Sequence, residues 1–215
     1  MDYRTLRGVG TAELVVKKSV FIGYASPANT EEEAKGFIEK IKAHHSDATH
    51  NVSAYLINDG KSFAVRYDDD GEPKGSAGKP VLKVIQNKGL SNVVIVVTRY
   101  FGGIKLGYGG LVKAYSDAAS SAIENAGIVK VYETERFQVT FPYSLFHLVR
   151  GTVENSGGKV VGEDYSELVT FTVETRKGEA ENLMELLTER TRGRVRVRKL
   201  FMSSFEGKPL NLHGM

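Results

Sequence analysis

The chain has 215 residues, 41% of them hydrophobic and 26% charged, with no cysteine. This composition excludes a disordered, fibrous or collagenous chain, and it removes disulfides, thiolate metal ligands and a cysteine nucleophile together. The formal charge, 29 basic against 26 acidic side chains or +3, is too mild to demand nucleic acid by itself.

Met1-Asp2-Tyr3-Arg4-Thr5 shows no basic region leading into an apolar core. No later run approaches the ~20 apolar residues of a membrane span, so a soluble, cytoplasmic protein without membrane partners is expected. Glu13 to Val16 and Val20 to Tyr24 read as strands. Thr30-Glu31-Glu32-Glu33 is a capping box, in which the Thr hydroxyl and the third-position Glu satisfy exposed amides reciprocally. Ala34, Phe37, Ile38 and Ile41 give the helix that follows one apolar stripe, ending near His44-His45. Val52 to Ile57 and Ser62 to Tyr67 are two more strands, joined by a turn at Asn58-Asp59-Gly60. A second helix starts at Pro80, whose locked φ suits the first helical position, and stops by Gly89. Val93-Val94-Ile95-Val96-Val97, within Asn92 to Thr98, is a continuous β-branched run that suits a central strand covered on both faces. A glycine-rich loop leads to a helix from about Leu111 to Ala126. Its small set Ala114, Ala118, Ala119 and Ala122 permits close approach to a sheet, and Gly127 is a left-handed stop.

Around residues 128 to 134 the pattern changes. The order then reads strand (Arg136 to Phe141), helix (Ser144 to Ser156), strand (Lys159 to Asp164), strand (Glu167 to Thr175), helix (Glu179 to Arg192) and strand (Arg194 to Met202). That is βαββαβ, the ferredoxin-like order. Phe137, Val139 and Phe141 alternate with polar neighbours, as do Val169, Phe171 and Val173, so one sheet face is core and the other is wet. The fold class expected is α+β in two domains, residues 1–131 and 135–204, followed by a loose tail over 205–215.

Three clusters could carry chemistry. Asp69, Asp70 and Glu72 sit in the acidic run Asp68 to Glu72, whose mutual repulsion calls for compensation. Mg²⁺ is the cofactor such a loop allows, and a solvated turn is the plainer alternative. The second cluster, Arg99 to Lys113, holds Gly102, Gly103, Gly107, Gly109 and Gly110 with the cations Arg99, Lys105 and Lys113. Lying between a strand and a helix, it can aim backbone amides and a helix dipole at an anion, with phosphate the natural guess. Tyr108 and Gly109 stand where a nucleotide-hydrolysing P-loop needs Lys and Ser or Thr, so that reading fails. Lys113 is placed in the first helical turn, where a bound anion would offset its unfavourable charge. Third, Arg194, Arg196 and Arg198 alternate with Val195 and Val197, a basic strip on a sheet face able to neutralise phosphates. The wet-face residues Gln138, Thr140, Thr170 and Thr172 lack the aromatic stackers of an RNA-recognition motif, which favours reading of RNA by backbone or shape. The histidines show no HExxH spacing, and no Gly-x-Ser-x-Gly elbow is present.

Asp69-Asp70-Gly71-Glu72-Pro73 through Gly78-Lys79-Pro80, Val97 to Gly107 and Gly109 to Tyr115 resemble the IMPACT family in its bacterial YigZ/YvyE-like form. The likeness extends to Lys18-Ser19-x-Phe21-Ile22 and Ala48-Thr49-His50-Asn51-x-x-Ala54-Tyr55, and departs at Val20, where the family usually has Arg. It implies an N-terminal domain like the second domain of a small-subunit ribosomal protein and domain IV of elongation factor G. The C-terminal domain would be similar to the ferredoxin-like domain V of that factor. The eukaryotic relatives look like regulators of translation that act around a starvation-responsive kinase through protein contacts, so the resemblance implies a link to translation rather than that role carried over whole, and it brings no catalytic residues. The leading expectation is therefore a non-enzymatic translation regulator binding ribosome or structured RNA. The competing expectations are an enzyme acting on a phosphorylated small molecule through a Mg²⁺-binding acidic loop, and a protein-binding adaptor in a stress response.

Overall fold

The computed structural model describes residues 2–58 and 63–209, with side chains as far as Leu200. It divides into two compact units, one built on residues 3–130 and the other on residues 131–206.

In the first unit a five-stranded sheet runs in the order β2 (Gly10–Val16), β3 (Ser19–Pro27), β6 (Val93–Tyr100), β4 (His50–Asn58), β5 (Phe63–Asp68), every neighbouring pair antiparallel. The short β1 (Tyr3–Leu6), unseen in the sequence, lies outside this sheet, as does β7 (Ile128–Phe141), which starts in this unit. Central β6 is covered on both faces. Val93, Ile95 and Val97 pack with Phe21, Val52 and Ala54 against α2 (Gly78–Asn87) and α3 (Gly107–Ala126). Val94 and Val96 pack with Tyr55 and Ile57 against Ala34, Ile38 and Ile41 of α1 (Glu31–His44). Each such aliphatic side chain contributes about 1.5–3 kcal/mol of burial. The alanine face of α3 meets bare backbone: a Cβ at Gly23 would lie 2.5 Å from the Ala118 carbonyl oxygen, and one at Gly10 would lie 2.3 Å from that of Ala122. Helix and sheet therefore sit closer than any larger side chain at these positions would allow.

Helix α1 opens as expected at its cap: the Thr30 hydroxyl accepts from the Glu33 amide at 3.1 Å. The return bond differs, because the Glu33 carboxylate accepts from the Asn29 amide at 2.7 Å rather than from Thr30. Helix α2 starts two residues before Pro80, which still lies in the first turn where no intrahelical acceptor waits for an amide. Helix α3 starts at Gly107, a full turn before Leu111, so Gly107, Gly109 and Gly110 are helical rather than loop residues. The Asp59-Gly60 part of the expected β4–β5 turn lies outside the described residues, although Asn58 pairs with Phe63.

In the second unit β8 (Lys159–Tyr165), β9 (Val169–Arg176), β7 and β10 (Arg196–Pro209) are neighbours in that order. With α4 (Phe146–Asn155) and α5 (Ala180–Arg190), the chain follows the expected βαββαβ course. Phe137, Val139, Phe171 and Val173 bury one sheet face against Val149, Val153, Leu183 and Leu187 of the two helices. On the other face the Thr140 and Thr170 hydroxyls lie 3.0 Å apart. Strand β7 begins at Ile128, through the stretch expected to link the domains, and β10 runs on to Pro209, into the stretch read as a tail. Among the described residues no helix is long and apolar enough to cross a membrane.

Candidate nucleic-acid interface

Two glycine-rich connections lead into α2 and α3, and their amides meet different fates. The loop between β5 and α2 is closed by its own acids. Both carboxylate oxygens of Asp69 are engaged, accepting from the amides of Gly75 (2.7 Å), Ala77 (3.1 Å) and Gly78 (2.8 Å). The cap residue Ala77 has no side-chain acceptor of its own, so Asp69 takes the anion's place at the positive end of α2. Asp70 accepts from the Asn51 amide at 2.6 Å and pairs with Lys42 at 3.2 Å. Glu72 is 8% exposed; its Oε1 accepts from Arg99 at 2.5 Å and from the Tyr115 hydroxyl at 2.8 Å. Burial, then the Glu72 charge, pushes the Tyr115 phenol far up, so it remains a donor to the carboxylate. The expected Mg²⁺ loop is thus corrected: Asp69, Asp70 and Glu72 point into separate sets of protein donors. No group of three or more His, Asp or Glu among the described residues is arranged to hold a metal ion.

Arg99 also moves from the phosphate-binding set to the interior. It is 5% exposed, with its guanidinium 5.4 Å from the Phe21 ring centre and 5.3 Å from that of Phe101. It neutralises Glu72, and a charge so enclosed cannot reach a surface phosphate. No local pattern announces a pairing between residues 27 positions apart.

The loop from Phe101 to Leu106 is anchored at its start and open afterwards. The Phe101 amide donates to the Thr49 hydroxyl at 3.0 Å and the Gly102 amide to the Ser19 hydroxyl at 3.1 Å. Gly102 rests on the β2–β3 turn so closely that a Cβ there would lie 2.0 Å from the Lys18 carbonyl oxygen. From Gly103 through Gly109 the amides have no partner among the described residues, and the α3 cap residue Leu106 offers no side-chain acceptor. Lys105 is exposed and without a carboxylate partner among the described residues. Lys113 lies in the second turn rather than in the first turn expected from the sequence, and pairs with Asp117 at 2.9 Å on the exposed surface of the helix.

Sequence reasoning missed what surrounds this loop. Lys17 and Lys18 form the two-residue β2–β3 turn with φ of 45° and 68°, left-handed at both positions, where Asn-Gly is the usual pair. Two consecutive lysines between alternating strands were the available signal. Phe101, Ile104 and Tyr108 are 46%, 42% and 59% exposed. The Tyr108 hydroxyl donates to the Gly75 carbonyl at 3.1 Å, at one end of a groove of about 430 Å³ between α2 and α3 that Lys79 and Lys83 also line.

In the second unit Arg194 precedes β10, its Nε donating to the Thr191 carbonyl at 3.2 Å, so it does not belong to the strand as expected. Arg196 and Arg198 are exposed strand residues, Arg198 reaching Gln138 at 3.1 Å, while Val195 and Val197 turn to the core.

His45 has more company than a helix dipole. Its Nε2 lies 2.7 Å from the Tyr24 hydroxyl and its Nδ1 lies 2.8 Å from that of Tyr100, which donates onward to Asp47 at 3.0 Å. Burial, followed by the neighbouring His44, holds its pKa below the usual histidine value, against the opposing pull of Asp47.

The family model described as the Impact N-terminal domain matches residues 17–123, and one described as a domain of unknown function (DUF1949) matches residues 139–194. IMPACT family member YvyE of Bacillus subtilis (strain 168) is 38% identical over 193 residues, covering 90% of this chain and 88% of that protein. IMPACT family member YigZ of Escherichia coli (strain K12) is 31% identical over 179 residues, covering 83% and 88%. A solved structure titled "Crystal structure of an hypothetical protein" superposes with a TM-score of 0.59 at 29% identity, covering 93% of this chain and 97% of that one.

Proposed function

The chain belongs to the IMPACT family, and from that premise we propose that it is a non-enzymatic, translation-associated regulator that binds ribosomal or other structured RNA through phosphate contacts. Eukaryotic members of the family regulate translation. The observation that carries the reading is the open run of amides from Gly103 through Gly109, with Lys105 beside it and the Lys17-Lys18 turn packed against Gly102. Hydrogen-bond donors and cations in one place suit a polyanion. Arg196 and Arg198 would give the second unit its own phosphate contacts. Against the enzyme alternative stands the acidic loop, whose carboxylates are already committed to Arg99, Tyr115, Lys42 and backbone amides.

The test is binding of the full chain to ribosomes and to structured RNA across a salt series. Affinity should fall as salt rises. The joint variant Lys17→Ala, Lys18→Ala, Lys105→Ala should flatten that dependence by about 0.7 to 0.9 in log–log slope for each phosphate it leaves without a cation. No association at low salt, or one indifferent to salt, sinks the reading.

A further inference from the structure

Resting on that reading, we infer that the Phe101 to Tyr108 loop is a stacking platform for unpaired nucleobases, so that this surface takes single-stranded or looped RNA in preference to a regular duplex. A site for phosphates alone needs cations and amides, whereas this one also leaves Phe101, Ile104 and Tyr108 about half exposed. Three large apolar side chains within eight positions forgo part of their burial energy by standing out.

The geometry suits bases. The Arg99 guanidinium lies 5.3 Å from the Phe101 ring centre and is itself fixed by Glu72, so the ring is steadied from the protein side and remains 46% exposed. Tyr108 is steadied in another way, by its hydroxyl on the Gly75 carbonyl, and stays 59% exposed. Gly103 and Gly107, which lie between the two rings in sequence, have φ of 83° and 72°, and a Cβ at either would meet nothing within 4 Å. Lys17, Lys18 and Lys105 are exposed without carboxylate partners among the described residues, the charge complement of a sugar-phosphate chain. Aromatic faces beside a cationic track are how single strands are held with little sequence preference, and a duplex keeps its bases stacked on one another instead.

The chain contains no tryptophan, so Phe101→Trp creates a single fluorescent reporter on the platform. The full chain would be titrated with an oligoadenylate of about twelve nucleotides, an abasic strand of equal length, an RNA duplex and polyglutamate. Base stacking should quench the reporter with oligoadenylate and not with the abasic strand, and oligoadenylate should bind more tightly than the duplex at equal salt. Phe101→Ala with Tyr108→Ala should weaken oligoadenylate binding by about 5- to 150-fold for each base that no longer stacks, while leaving the salt slope unchanged. Tyr108→Ala alone, which spares the Arg99 contact, should show part of that weakening. Equal affinity for abasic and adenylate strands, preference for duplex, or equal binding of polyglutamate overturns the stacking inference while RNA binding through phosphates stands. Absence of binding to every RNA at low salt overturns both.

Discussion

The loops that enter α2 and α3 are built from the same material, yet one is filled and the other open. Before α2, a carboxylate eight residues upstream of the cap residue supplies the anion that the helix end attracts, and its three amide bonds tie Gly75, Ala77 and Gly78 together. Before α3, the corresponding stretch contains Ile104, Lys105 and Leu106 and no acid at all, leaving the amides to solvent or to a visitor. A helix terminus has one electrostatic preference, and the placing of a single Asp decides whether structure or ligand satisfies it.

The largest way to break this contrast is to empty the filled side. Glu72→Ala strands the buried Arg99 guanidinium without its countercharge, and urea unfolding should show a loss of about 3–5 kcal/mol. Asp69→Ala removes three charge-assisted bonds and the α2 cap; the expected loss is about 2–3 kcal/mol by the same measurement, with little change in RNA affinity. A smaller effect sharpens the open side. Replacing Lys17-Lys18 by Asn-Gly relieves two left-handed backbones and should raise stability by about 0.5–1 kcal/mol while lowering RNA affinity, a trade visible by comparing melting with binding. A turn kept for its shape alone would gain stability with affinity intact.

The smallest expected effect concerns His45, flanked by Tyr24, Tyr100, His44 and Asp47. Its pKa is lowered in the folded state, so the unfolded chain binds the proton more readily. The stability this contributes is complete above the unfolded value near 6.5 and is lost as pH falls through the lower folded value. Melting followed from pH 7 downward should therefore decline, and His45→Gln should flatten that decline. An unchanged pH profile in the variant would remove His45 as its source.

Much of the fold was legible because local chemistry and tertiary packing agree. Thr30 caps α1, the valine run of β6 is covered twice, and the alternation in β7 and β9 separates core from wet face. The start of α3 was not legible: Gly107, Gly109 and Gly110 are poor helix formers, and the packing of Leu111, Ala114 and Tyr115 carries the helix back through them. The candidate site was legible in part. The glycines and Lys105 stand where a ligand could find them, but Arg99 and Glu72 look available in sequence and are consumed by each other in space. The acidic run signals its need for compensation, yet not that protein donors meet it, because Lys42, Asn51, Arg99 and Tyr115 come from four separate elements.

The bare seat of α3 on Gly10 and Gly23 has a mechanical consequence. A rod bedded main chain to main chain at Ala118 and Ala122 cannot slide or roll without colliding with the strands beneath it. On the proposed RNA-binding reading, a helix held this way surrenders little freedom when a strand lands, and accommodation falls to the strand.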